Sequence, residues 1–379
     1  MNTLDPPPHR PDRDPPAKLT AATPAWFTGA TAQMWGRRAV KVATFFASLF
    51  LFILGIVVMK DGAGALTPLV ERLVDLSHPL RGLSAGWLSS MIIMSGSPVA
   101  AAALAFLDAG LLSPVSAYMM ITGSRFGASF IVLCLGLIYA LRGRDLMTSV
   151  GMGLLSFGIT ISLHVLGLLP GIWLLTSGTL QAWPRPSGVA ITSFVERVFQ
   201  PISAAMMGAL PSWSLFGAGF LIIMLSFALF DRCLPTESLK QSRVGKMSRY
   251  VYRPWVMFLL GALLTLISMS VSLSISILVP LNDRGLVRRE NVIPYIMGAN
   301  ITTFVDTLLA AMLLSPQAFE VVVAEMLSVA LPSLVILFFA FRQYEYVMEA
   351  FVEWVSRHPR HLFFFLFALF AIPLAGLII

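Results

Sequence analysis

Seven stretches of the chain stay apolar for nearly the roughly 20 residues that a spanning helix needs. They lie near residues 39–59, 113–141, 146–169, 212–231, 291–314, 324–342 and 362–379. Two further runs, 80–107 and 255–282, are as long, but serine and glycine or proline interrupt them. The first contains "MIIMSGSPVAAAA", Met91 to Ala103, which sets a helix breaker and hydroxyl groups inside membrane length. Shorter amphipathic pieces fall near 64–77 and 239–252, and the run 188–210 holds the adjacent charges Glu196 and Arg197. The pattern predicts an all-α polytopic membrane protein in which two of the apolar runs are discontinuous hairpins.

A shift of 175 positions lays the chain on itself without a gap from His78, "HPLRGLSAGWLSSMIIMSGSPVAAAA", onto Arg253, "RPWVMFLLGALLTLISMSVSLSISIL". Pro79 meets Pro254, Gly86 meets Gly261, Met94-Ser95 meets Met269-Ser270, Ser97 meets Ser272, Asp108 meets Asp283 and Gly123 meets Gly298. Chance matching of apolar residues does not bring these glycines, prolines and aspartates into register. A self-similarity of this length marks an internal repeat, expected as a first transmembrane repeat over 36–187, a non-spanning connector over 188–210 and a second repeat over 211–379.

Charge decides how the two repeats are oriented, because cytoplasmic loops collect lysine and arginine. With the N-terminus inside, each broken run returning to its starting side and 188–210 not crossing, most of the 26 basic residues fall on the cytoplasmic face. Lys60, Arg72, Arg81, Arg185 and Arg197 fall opposite, and Arg125 falls within the membrane. The halves are then inverted. Inverted repeats with discontinuous helices are a transporter architecture, with substrate and coupling ions bound where the halves meet.

Composition narrows the class further. The chain is 57% hydrophobic and 12% charged, far below the roughly 25% charged share of soluble domains. A net charge of +7 without a basic stripe interleaved with aromatics reads as topology and not as nucleic-acid binding. Cys134 and Cys233 have no metal or redox spacing. Residues 1–35, with "DPPPHRPDRDPPAK", are expected to form a disordered cytoplasmic tail and no signal peptide.

Two signatures, one per half, resemble the sodium/phosphate cotransporter (type II) family, whose halves each carry "QSSS" followed at a fixed interval by "GANIGTT". Here "MSGS" (Met94 to Ser97) precedes "GSRFGAS" (Gly123 to Ser129), and "MSVS" (Met269 to Ser272) precedes "GANITTF" (Gly298 to Phe304). The likeness runs from about Leu51 to Ala310. It implies sodium-driven symport of inorganic phosphate across the plasma or bacterial inner membrane, with no cofactor besides the coupling ion. It also implies a chain without the soluble C-terminal regulatory domain of many bacterial relatives. A homo-oligomer is compatible with it. Carried over, the phosphate site comprises Ser95, Gly96, Ser97, Arg125, Ser270, Ser272 and Asn300, and the sodium ligands are Ser129, Ser274, Thr302, Thr303 and Asp306.

Three departures mark this chain. Met94 and Met269 replace the glutamines of the pattern and cannot donate to a phosphate oxygen. Arg125 stands where the pattern has asparagine, which its partner in the repeat, Asn300, retains. The arginine either forms an internal ion pair with Asp306, in place of a sodium, or binds the anion directly as a fork. The alternatives for the whole chain are a carrier of another anion (a phosphorylated small molecule, sulfate or a lipid-linked phosphate head group) with altered or proton coupling, or a binding or sensing homologue that does not transport.

Other features have simpler readings. Asp108 and Asp283 precede Gly110 and Gly285, as turn or cap residues do. "SP" at Ser113-Pro114 reads as an N-cap followed by proline in the first turn. Gly151, Gly153 and Gly158 suit close helix packing, and His164, in an apolar helix, suits a helix-facing hydrogen bond or, as the alternative, a proton relay. Matching hydroxyls in both halves point to binding and not to one catalytic nucleophile, so no enzyme is expected.

Overall fold

The computed structural model describes residues 29–66, 68, 78–141, 146–182, 189–233, 253–271, 274–275 and 289–378. The chain divides into a short unit, Met1–Ala43, and a large one, Thr44–Ile379, which holds every described residue of the candidate site. The described residues form helices and no strand. Ser272, Asp283 and the amphipathic piece 239–252 lie outside them, as do residues 1–28 of the expected tail. Residues 29–35 of that tail belong instead to the first helix, α1 (Gly29–Ala63), because "GATAQMW" contains no proline and runs straight into the apolar stretch.

The remaining helices follow in order: α2 (Pro79–Ile93), α3 (Ser97–Asp108), α4 (Pro114–Leu141), α5 (Leu146–Thr176), α6 (Val189–Ala209), α7 (Ser212–Cys233), α8 (Pro254–Ser268), α9 (Val292–Thr302), α10 (Val305–Leu314), α11 (Pro316–Val335), α12 (Phe341–Arg357) and α13 (Pro359–Ile378). Among the described residues seven helical stretches are long and apolar enough to cross a membrane, and they fall on the seven stretches read from hydropathy. The protein is an all-α polytopic membrane protein. The connector helix α6, with its charges, is not among the seven.

Prolines set several helix starts, since the first turn needs no ladder N–H from them. Ser113 caps α4 by accepting from Ser116 N at 3.1 Å, with Pro114 in the first turn. Ser315 does the same for α11 from Ala318 N at 3.2 Å, ahead of Pro316. Gly110, at φ +77°, supplies the left-handed residue after α3. The Asp108 carboxylate, at the end of α3, pairs with Lys60 at 3.0 Å and ties α3 to α1.

Residues 175 apart make equivalent contacts. A Cβ on Gly86 would collide with the Met120 carbonyl oxygen, and one on Gly261 with that of Tyr295. Gly123 meets the Leu83 carbonyl in the same way that Gly298 meets Phe258. These four glycines let α2 press backbone to backbone on α4, and α8 on α9. Gly153 brings α5 equally close to Leu133 of α4, as its sequence context suggested, whereas Gly158 faces the ring of Phe351.

Two departures from the hydropathy pattern bear on the site. The single helix expected over 291–314 breaks at Thr303-Phe304 into α9 and α10, while its counterpart in the first half, α4, is continuous. The helix expected over 324–342 starts earlier, at Pro316, and passes through a π turn at Ile336–Ala340 into α12. Pro332, which lacks an N–H, lies one turn before that widening.

Candidate substrate cavity

The two hairpin runs end in the same way. Helix α2 stops at Met94, with φ 58° and ψ 32°, and α8 stops at Met269, with φ 50° and ψ 19°. Each methionine N–H closes the last turn onto a carbonyl, Ser90 O and Thr265 O respectively. Left-handed backbone ends many helices, but glycine or asparagine normally occupies it. The methionines are the only non-glycine residues at positive φ among the described residues. Past Met94 the chain restarts at once as α3, with Pro98 in its first turn.

Both tips line one cavity of about 90 Å³. From the first half come Met94, Ser95, Gly96 and Ser97, with Arg125 and Ser129 of α4; from the second come Met269, Ser270, Asn300 and Thr303. Eight of the twelve residues expected at the site thus meet there: Ser95, Gly96, Ser97, Arg125, Ser129, Ser270, Asn300 and Thr303.

The others differ. Ser274 is fully buried in a network with Thr265 (2.9 Å) and the Tyr295 hydroxyl (2.6 Å). Thr302 donates to Ala262 O at 2.8 Å and so ties α9 to α8. Neither lines the cavity, because the helical turn that puts Asn300 and Thr303 inward puts Thr302 on the opposite side.

Asp306 also stands behind the cavity wall, beside Ser97. Its carboxylate accepts from its neighbour Thr307 twice, from the backbone N at 2.5 Å and from Oγ1 at 2.9 Å. It occupies the first turn of α10, where the exposed N–H groups and the helix dipole favour negative charge. Breaking the helix at Thr303-Phe304 creates that N-terminus.

Arg125 is 6% exposed. Its Nη2 donates to Thr307 Oγ1 at 2.8 Å and its Nη1 to Thr303 Oγ1 at 3.4 Å, and its guanidinium lies 4.4 Å from the centre of the Phe304 ring. Its Nε–H has no partner. Among the described residues no carboxylate comes within ion-pair distance of it. A direct pair with Asp306, one of the two alternatives read from the sequence, is therefore not formed; the Thr307 hydroxyl lies between them.

Several cavity residues escaped the sequence reading. Asp231, exposed at the end of α7, stands on its lining, and Ser156 and Thr160 of α5 enter it beside Asn300. Thr160 and Asn300 are hydrogen-bonded, with Nδ2 to Oγ1 at 3.2 Å. Ser156 Oγ has no partner. A signal existed: Ser156, Thr160 and His164 recur every fourth residue, which places them on one face of an apolar helix. His164 makes the expected bond within that helix, Nδ1 to Thr160 O at 2.7 Å.

The cavity thus combines one buried guanidinium, several hydroxyls, the amide of Asn300 and backbone at two broken helices. That set suits a small oxyanion accompanied by hard cations. No curated protein and no solved structure gives a match. Residues 236–354, which include "MSVS" and "GANITTF", match the family model described as Na+/Pi-cotransporter.

Proposed function

We propose that the protein is a sodium-coupled symporter of inorganic phosphate in a plasma or bacterial inner membrane, with its N-terminus cytoplasmic and its two repeats inverted. The observation that carries this reading is the meeting of both hairpin tips, 175 residues apart, with Arg125 in one cavity. Phosphate is held by the Arg125 fork and the tip hydroxyls of Ser95, Ser97 and Ser270, while Ser129, Thr303 and tip carbonyls are the sodium ligands. The family match supports sodium and phosphate as the transported pair.

Coupling follows from charge. Moving a phosphate dianion into an inside-negative cell costs about 4.6 kcal/mol at 100 mV, from roughly 2.3 per charge. Co-transported cations must supply that. A fixed arginine lowers the free energy of the bound anion but does not travel with it. Where Arg125 has taken the place of a sodium, fewer sodium ions accompany each phosphate.

Labelled phosphate uptake into proteoliposomes, with and without an inward sodium gradient, tests the reading. Uptake that rises with the gradient and is competed by unlabelled phosphate, but not by sulfate, is the expected result. Accumulation indifferent to sodium, or stronger competition by another anion, would overturn it.

A further inference from the structure

A second polar cluster lies inside the membrane region, one to two turns from the cavity. At its centre is Glu325 of α11, fully buried. Thr122 of α4 donates to its Oε1 at 2.8 Å, and its Oε2 has no hydrogen-bond partner. Opposite stands His164 of α5, with Nε2 4.0 Å from Glu325 Oε1 and also without a partner. Tyr118 closes the cluster by donating to Ser328 Oγ at 3.0 Å.

Packing does not require this polarity. The positions 175 residues away from Tyr118, Thr122 and Glu325 are Ile293, Met297 and Val150, all buried and apolar. The other half of the repeat fills the equivalent sites with hydrocarbon, so packing there does not call for a carboxyl or hydroxyls. Burying such groups unpaired is costly.

Proton bookkeeping shows what the pair lacks. The Thr160 carbonyl can only accept, so His164 Nδ1 carries the hydrogen of that bond and a neutral ring presents a bare lone pair at Nε2. A bare nitrogen facing a carboxylate gives two acceptors and no donor. One added proton, on either group, makes one a donor and the other an acceptor across the 4.0 Å that separates them. We propose that Glu325 and His164 form a proton-binding site that loads together with the anion in the neighbouring cavity.

The connection to the cavity is short. His164 is bonded to Thr160, which is bonded to Asn300, and both of the latter line the cavity. Arg125 lies one turn beyond Thr122 on α4 and acts electrostatically on both Glu325 and His164. From the elements packed on α11, the ionisable groups facing Glu325 are Tyr118 and Arg125 of α4 and His164 of α5. Asp306 of α10 acts on Arg125, and Tyr295 of α9 is turned to Ser274. A proton added here brings positive charge toward the anion, so the two are held together more tightly than either alone.

The link to phosphate rests on the function proposed above; the proton site itself does not, and the test keeps them apart. The full chain in lipid vesicles is titrated with pH by infrared difference spectroscopy, and labelled phosphate counterflow is followed over the same range. A carbonyl-stretch band of a protonated carboxylic acid is expected, absent in Glu325→Gln and shifted in frequency in His164→Asn. Counterflow in Glu325→Gln should persist but lose severalfold of its pH dependence relative to the unaltered protein. A band unchanged in Glu325→Gln, or a pH profile identical to that of the unaltered protein, would overturn the proposal. If Glu325→Gln does not fold, a band that stays in place in His164→Asn overturns it equally. Absence of counterflow in the unaltered protein counts against phosphate, while the infrared band still decides the proton site.

Discussion

The Arg125 guanidinium reaches the Asp306 carboxylate only through the Thr307 hydroxyl, which lies 2.8 Å from the one and donates to the other at 2.9 Å. The hydroxyl accepts and donates at once, so the buried charges share a group without touching. Thr307→Val keeps the shape and removes both bonds. It is expected to cost about 1–3 kcal/mol, the range for leaving buried polar groups unsatisfied, and to lower the melting temperature of the detergent-solubilised protein.

Arg125→Lys keeps the charge and loses the planar fork. A lysine ammonium cannot span Thr303 and Thr307 while offering a second face to an oxyanion. With about 1.5–3 kcal/mol for a hydrogen bond to a charged group, phosphate half-saturation in vesicle uptake should rise at least about tenfold. An unchanged half-saturation would remove the guanidinium from the anion site.

Met94 and Met269 hold a backbone conformation that costs an L-residue with a Cβ roughly 1–2 kcal/mol. Replacing either with glycine should raise thermal stability by about 1 kcal/mol, and the two effects should be nearly additive because the residues sit on different tips. Met94→Gln returns an amide donor to the tip without relieving the backbone. It should tighten phosphate binding and leave the melting temperature where it was.

Gly86→Ala and Gly261→Ala each drive a methyl group into a carbonyl oxygen of the neighbouring helix. Overpacking of this kind costs typically about 1–3 kcal/mol. Both variants should give less folded protein by size-exclusion chromatography, in similar measure, because they disturb the same joint in two copies. A large effect in one and none in the other would break that equivalence.

Much of the architecture was legible because the membrane enforces simple rules. Seven spans and two broken runs follow from hydropathy, and Gly153 was read as a packing residue, whereas Gly86, Gly123, Gly261 and Gly298 stood out as matches between the halves. The site was legible wherever a signature residue faced inward, as Ser97, Arg125 and Asn300 do. It was misread at Ser274 and Thr302, since a motif fixes spacing and not the direction in which each hydroxyl points. Glu325 went unnoticed because a lone glutamate in "VVVAEMLSVA" shows no partner in sequence; Thr122 and His164 reach it from 203 and 161 positions away. The break at Thr303-Phe304 was hidden for another reason. Its residues are helix-compatible, and the interruption becomes intelligible once Asp306 is seen at the new N-terminus.

The exchange of one residue between the halves, Arg125 for Asn300, has a consequence for the container as a whole. Its two tips are alike, yet its charge is lopsided, with a guanidinium contributed by the first half and a neutral amide by the second. The guanidinium reaches across to Thr303, Thr307 and Phe304, so an anion that it holds rests off the pseudo-axis, against α9 and α10. A chain made from two first halves would confront its cargo with two guanidiniums, and one made from two second halves with none. Two similar tips form the vessel, and a charged side chain with a neutral counterpart gives it a preferred pole.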